Sequence, residues 1–399
     1  MRLLFISFWS ANEPLTSSTI LPYLRIMVAD PSMEKVVFAS VERGEPTTLA
    51  GLGELRKVVH HPIVTRYRAI DQLSKLDQFT GRINELVRLV KDHRIDMIDA
   101  KGSLAGGMAH LVSQRTGVPY VVESFEPHSD YMADCGVWGR RGISYRVARW
   151  LERKQKDHAR AIVTVTENYR AQLMDEGVPA DRIKVIPSIT DIGRFAFSAE
   201  KRDLLRAELG WQDSLVGIYV GKFGGLYYEG EAFDLFERVR QLVGPQFRLI
   251  IITVVPEQQV RSWLGAAGFP QEHAVVRAVD HGEVPHWLSA ADIAFSLHRI
   301  TPSSLYFGPV KNGEYWANGL PILLPHGVSD DFRIVQEKPW TGAIFDPGKP
   351  EKLDQAVDHL KALVATPGHR ERIMQMCREI RDIRVARLVY KEMFGFAVD

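Results

Sequence analysis

Lys311 and Glu314 stand three residues apart in the segment Gly308-Pro309-Val310-Lys311-Asn312-Gly313-Glu314-Tyr315-Trp316-Ala317-Asn318-Gly319-Leu320-Pro321. That spacing puts an ammonium and a carboxylate on one face of a short helix. Pro309 suits the first helical position and Gly319 suits the stop. A helix N-terminus offers free N–H groups and a partial positive charge, which attract phosphate. Lys311 adds a full charge there, and the two acceptor oxygens of Glu314 suit the hydroxyls of a ribose. This is chemistry for holding both ends of a nucleotide diphosphate. The same residues also fit a capped surface helix in which Lys311 and Glu314 are only an ion pair.

The pattern P-x-K-x-x-E-Y-x-A-x-G-x-P, read from Pro309 to Pro321, resembles the nucleotide-sugar segment of GT-B glycosyltransferases, in particular retaining family 4. The resemblance implies a Glu314 contact to the donor ribose, with Gly308, Pro309, Val310 and Lys311 facing the pyrophosphate. It also implies a GT-B architecture, two Rossmann-like α/β domains whose parallel sheets face each other across a cleft that closes on the donor. The implied activity is transfer of a sugar, hexosyltransferase-like, from a nucleotide diphosphate sugar to an acceptor hydroxyl with retention of configuration. One position departs from the family. The family often has a second Glu, in contact with the donor sugar, where this chain has Tyr306.

Other candidates sit in polar or Gly-rich stretches after apolar runs. Gly221-Lys222-Phe223-Gly224-Gly225 follows the strand pattern Leu215 to Val220, and its N–H groups with Lys222 suit phosphate. By resemblance this is the family's V-G-R motif with Lys222 for Arg, which supplies charge without the bidentate fork. The family's second Lys is missing, and Tyr227, Tyr228 and Glu229 occupy its region. Ser303 and Ser304 lie in a loop expected to face the donor sugar, although loop serines commonly serve turns. Gly102 to Gly107 offers either a phosphate cradle or close strand–helix packing. By resemblance, Val279 to Glu283 lines the base pocket.

In the N-terminal half, Glu123, Glu126, His128 and Asp130 cluster after the strand pattern ending at Glu123. Acids and a His at a strand end suit acid–base work, and a solvated surface loop fits them as well. The family often places a His near the transferred sugar in this loop, so His128, Glu126 and Glu123 stand as alternatives. Asn12, Ser17 and Ser18 belong to the loop after the first strand, which resembles the family's acceptor-side loop without its glycines.

Residues 138–160 carry Arg140, Arg141, Arg146, Arg149, Arg153, Lys154, Lys156 and Arg160 among Ile143, Tyr145, Val147, Trp150 and Leu151. Such a helix suits an anionic membrane surface or an acidic acceptor, a glycan or a lipid-linked one, and equally a solvated face packed by its apolar stripe.

Strand and helix patterns alternate along 399 residues, which predicts an α/β chain of two domains. The expected divisions are an acceptor domain over 1–188, a donor domain over 189–375, and a C-terminal helix over 376–399 that returns toward the first domain. The first boundary falls on Pro187 to Phe195, which resembles the family's interdomain linker. The formal net charge of +1 gives no global pull toward nucleic acid. Cys135 and Cys377 lack metal-ligand spacing, which fits a reducing, cytoplasmic setting. No apolar run nears the roughly 20 residues of a membrane span, so any membrane contact is expected to be peripheral. The apolar start from Leu3 to Trp9 reads as a core strand and not as a signal peptide. No acidic metal cage is evident, so no obligatory divalent ion and no cofactor beyond the sugar nucleotide is expected. Two rivals remain, a nucleotide-sugar epimerase of the same fold and a non-catalytic nucleotide-sugar-binding module. A dinucleotide-binding oxidoreductase lacks its G-x-G-x-x-G in both halves.

Overall fold

The computed structural model describes residues 1–13, 16, 19–42, 45, 51–64 and 72–395, without the side chains of 72–80. Ser17 and Ser18 lie outside the described residues. Two compact units divide the chain, Met1–Pro187 with Ile383–Asp399, and Ser188–Asp382.

The first unit is built on a seven-stranded sheet in the order β3-β2-β1-β4-β5-β6-β7. Its strands are β1 (Arg2–Ser7), β2 (Lys35–Glu42), β3 (Val58–Val64), β4 (Met97–Lys101), β5 (Tyr120–Glu123), β6 (Ala161–Thr164) and β7 (Ile183–Val185). All pairs are parallel, with Leu3 beside both Val36 and Met97. Parallel strands covered on both faces read as near-continuous apolar runs, and Leu3 through Ile6 are fully buried. The crossovers are α1 (Leu21–Ala29), α2 (Gln72–Asp92), α3 (Ser103–Thr116), α4 (His128–Asp134), α5 (Ile143–His158) and α6 (Glu167–Asp175). β3 begins only at Val58, because Leu52–Glu54 forms a 3₁₀ turn and pairing with β2 starts after it.

The second unit holds a six-stranded sheet in the order β10-β9-β8-β11-β12-β13. These are β8 (Leu215–Val220), β9 (Phe247–Ile252), β10 (Ala274–Arg277), β11 (Ile293–Phe295), β12 (Ile322–Pro325) and β13 (Gly342–Phe345). Its helices are α7 (Ala199–Leu209), α8 (Gly230–Val243), α9 (Glu257–Ala266), α10 (Val284–Ala290), α11 (Val310–Ala317), α12 (Asp331–Glu337), α13 (Pro350–Val364) and α14 (His369–Ile380). Two apolar cores flank the sheet, one around Phe233, Phe236 and Phe247 and one around Tyr315, Trp316 and Leu320. Both sheets have doubly wound order, so each has a switch point, between β1 and β4 and between β8 and β11, where ligands sit beyond the strand ends in such folds.

The C-terminal helical stretch divides differently from the expected 376–399. α14 packs Ile373, Met376 and Cys377 into the second unit's core, and Arg381 pairs with Asp331 there. Only α15 (Ile383–Phe394) joins the first unit, where Tyr390 donates to Glu123 and its ring lies 5.5 Å from that of Tyr23.

Candidate functional site

The second unit's switch point gathers three segments. The turn after β8 starts at Gly221, the segment after β11 starts at Ser296, and α11 follows a 3₁₀ turn over Pro302–Tyr306. The first two are tied by backbone hydrogen bonds, Tyr228 N to Leu297 O at 3.3 Å and Arg299 N to Leu226 O at 2.7 Å. Tyr315 of α11 accepts from Val220 N at 2.9 Å, which fixes the helix to the end of β8.

Lys311 points into this junction. Its stem is partly exposed, but its Nζ is buried and has no hydrogen-bond partner among the described residues. The ammonium lies 4.2 Å from the centre of the Tyr227 ring and 4.8 Å from that of Tyr219. A Cβ placed on Gly221 would come within 2.8 Å of Nζ, and the Gly221 φ of +147° is one a side chain rarely adopts. Glycine there keeps the turn open for the ammonium. Burial is the main influence on Lys311 and lowers its pKa to about 7, with the Glu314 charge opposing. His298, also buried, is held well below its ordinary pKa by desolvation and then by Lys311. Its ring lies 4.8 Å from that of Tyr227.

Glu314 is 7% exposed and its Oε1 lies 3.1 Å from His281 Nε2. Lys311 and Glu314 thus share α11 without forming the surface ion pair open from sequence: the carboxylate's side-chain partner is the His281 ring. No side chain caps α11, whose N-cap is Pro309. The helix start is anchored instead by its flanks. Ser188 donates to Gly308 O at 2.7 Å, and Asn312 donates to Asp331 at 2.7 Å. Gly313 has no room for a Cβ against Thr190. Residues 188–190 therefore fit directly onto the helix.

The other donor candidates separate. Lys222 is exposed, and its carbonyl accepts the Tyr219 hydroxyl. Gly224 lies in the same turn, where Tyr227 donates its N–H back to Gly224 O at 3.1 Å. Ser303 and Ser304 are buried, and the Ser304 hydroxyl closes a capping box by accepting from Thr301 N at 3.2 Å while donating to Thr301 O at 2.8 Å. That hydroxyl is engaged in capping its own turn. Val310 is the first residue of α11.

In the first unit, Glu123 does not stand in an open loop. It is 1% exposed at the end of β5, paired with Lys101 and accepting from Tyr390. Lys101 Nζ also lies 3.6 Å from the Tyr23 ring centre. Glu123, one of the three acid–base alternatives in the sequence, thus stands in a buried network that anchors α15. Glu126 and His128 do come together, Oε1 to Nδ1 at 3.1 Å, with the His128 ring 5.7 Å from both Tyr131 and Trp138. Burial opposes the His128 charge, but the Glu126 hydrogen bond and charge prevail and raise its pKa. Asn12 is exposed and accepts from Ser10 at 2.9 Å. Gly106 and Gly107 lie inside α3, where a Cβ would meet Val122 and Gln155, and Leu151 at 2.9 Å. They serve the close packing of α3 on β5 and α5.

His298, Tyr219 and the unpartnered state of Lys311 were not singled out by sequence reasoning, and His281 entered it only within the Val279 to Glu283 base-pocket stretch. Their shared signal is position at the ends of β8, β10 and β11, which only the strand order reveals.

Residues 36–188 match the family model described as a glycosyl transferase 4-like domain. No curated protein matches the chain. Among solved structures, HepE of Anabaena in complex with UDP is 16% identical, with 99% of this chain and 100% of that chain covered at a TM-score of 0.73. Sucrose-phosphate synthase from Thermosynechococcus elongatus is 14% identical over 99% of each chain, TM-score 0.73. UDP-GlcNAc 2-epimerase from Neisseria meningitidis, bound to UDP-GlcNAc, is 13% identical over 99% of this chain and 100% of that chain, TM-score 0.61. The chain thus has the GT-B fold of two Rossmann-like α/β units, and its residues 36–188 are similar to the glycosyl transferase 4-like domain.

Proposed function

We propose that the chain is a retaining glycosyltransferase that moves a hexosyl group from a nucleoside diphosphate sugar to an acceptor hydroxyl, in polysaccharide or glycoconjugate synthesis. The observation that carries this reading is the buried, unpartnered Lys311 ammonium at a doubly wound switch point. A cation held without a counter-ion is a seat for an anion. The start of α11, from Gly308 and Pro309 to Val310, adds N–H groups and dipole, and Lys222 supplies a further charge from the Gly221–Gly225 turn. In this reading the leaving diphosphate gains stabilisation as its negative charge develops, the main demand of the reaction. Glu314 takes the ribose hydroxyls, with His281 holding one of its oxygens. His128, oriented by Glu126, serves the sugar or acceptor side.

HepE and the epimerase were each solved with UDP or a UDP-sugar, so UDP-sugars are the first donors to try. The positive charge comes from the chain itself, and turnover is expected to withstand EDTA. The acceptor is read as a glycan or a lipid-linked glycan, and the working place as the cytoplasm, peripheral to a membrane. Nucleic acid is no part of the reading.

A nucleotide-sugar epimerase is the second reading, kept by a full-length neighbour of that activity. A binding module is the third, because Tyr306 stands where the family often has Glu. One assay separates them. The chain is incubated with UDP-sugars and a panel of acceptors, and the products are followed by NMR. Transfer releases UDP and forms a glycoside with the donor's anomeric configuration. Epimerase action gives an isomerised sugar, and a module leaves the donor unchanged.

A further inference from the structure

Helix α5 has two faces of different chemistry. Tyr145, Ala148, Leu151, Glu152 and Gln155 are buried. The opposite side presents Ile143, Val147 and Trp150, which are 66%, 50% and 50% exposed. Their spacing of four and then three residues aligns them in one stripe along the helix. Val137, in the turn before the helix, is 62% exposed. The first unit's core is served by the other face, so this stripe is not needed for folding. A contiguous apolar stripe left in water marks an interaction surface.

The border of the stripe says what kind. Arg141, Arg146 and Arg153 are exposed beside it. Arg140 and Arg149 stand further round, each more than half exposed and paired with Asp130. Nucleic acid would use the cations and leave Ile143 and Val147 unexplained. An apolar protein groove would use the stripe and leave the arginines unexplained. An anionic bilayer uses both: acyl chains at the interface take the apolar side chains, and headgroup phosphates take the guanidinium groups. Trp150 has the amphipathic ring that settles at that depth.

We propose that α5 and the turn before it form a docking surface for anionic phospholipid bilayers, with Ile143, Val147 and Trp150 entering the interface and Arg141, Arg146 and Arg153 meeting the phosphates. This goes beyond the donor-site reading and deepens only its peripheral setting. A chain that fails to bind nucleotide would still dock, so the two claims fail separately.

The test is co-sedimentation of the full chain with vesicles of phosphatidylcholine alone and of phosphatidylcholine mixed with phosphatidylglycerol. The expected result is binding to the mixed vesicles about 10-fold or more above the neutral ones, weakened by salt as the Debye length shortens. The triple variant Ile143→Ser, Val147→Ser, Trp150→Ser loses that binding about 10-fold or more at unchanged melting temperature, since all three side chains are exposed. Arg146→Glu with Arg153→Glu loses it as well and removes the salt dependence. Equal or absent binding to both vesicles overturns the proposal. So does a triple variant that binds as wild type, or a chain that dimerises through the stripe, seen as a dimer in sedimentation velocity that Trp150→Ser dissociates.

Discussion

The Lys311 ammonium lies 4.2 Å from the centre of the Tyr227 ring, buried and without a hydrogen-bond partner among the described residues. The ring face offers partial compensation for lost water, and the residual cost appears as a pKa lowered to about 7 by burial. The ordinary value is 10.5. Between these two values the unfolded chain binds more protons than the folded one, so Lys311 makes stability rise with pH across that window. Removing the charge should therefore help the fold and harm the ligand. Lys311→Met is predicted to raise the melting temperature at pH 7 by about 2–4 °C, the response to ~1 kcal/mol in a domain of this size. The same variant should weaken UDP binding about 10-fold or more, the loss of charge-assisted hydrogen bonds. Differential scanning calorimetry and a UDP titration read the two effects, and loss of both stability and binding would count against the account.

Proton uptake gives a second reading of the same group. A bound diphosphate favours the charged amine. UDP affinity of the wild type, relative to Lys311→Met, should thus fall as pH rises from about 6 to about 8.5, through the folded value near 7. Titrations in buffers of different ionisation enthalpy should show net proton uptake by the wild type at neutral pH and a smaller one in the variant.

The Glu126–His128 pair predicts a different signature. The raised His128 pKa means its stabilising contribution is fully present below about 6.5, the ordinary value, and is lost as pH rises through the folded value. His128→Ala should leave UDP affinity unchanged and reduce transfer about 100-fold, the lower range for a positioned acid–base group. Steady-state kinetics separate kcat from KM for this variant.

The Glu123–Lys101 pair is expected to act on stability and not on acceptor choice. Both side chains are almost fully buried, and removing one partner leaves the other charge uncompensated. Lys101→Met is predicted to cost about 3–5 kcal/mol in urea unfolding. Tyr390→Phe should cost about 1–3 kcal/mol by leaving a Glu123 oxygen without its donor.

Much of the architecture was legible because buried parallel strands are continuous apolar runs. β1, β8 and β12 stand out in this way, and Gly319 with Pro309 marks α11. What the sequence hid depends on tertiary pairing. The short β13 and α12 carry mixed residues whose burial comes from neighbours such as Trp316, which donates to Thr341 O at 3.0 Å. Glu123 looked like a cleft acid because nothing local announces that Lys101 and Tyr390, far away in sequence, would surround it. Ser304 looked like a ligand although a capping box with Thr301 was open to it. Lys311 and Glu314 were visible as types at a spacing. Their different fates, one cation left unpaired and one carboxylate held by His281, required the strand order.

The central claim is that α11 and the Gly221 turn bind a nucleoside diphosphate through Lys311 and Glu314. Calorimetric titration of UDP, GDP and ADP into wild type, Glu314→Ala and Lys311→Met tests it most directly. The account predicts selective binding of one diphosphate by the wild type and about 10-fold or greater weakening in each variant. Binding that both variants leave untouched, or no binding of any diphosphate by the wild type, would contradict it.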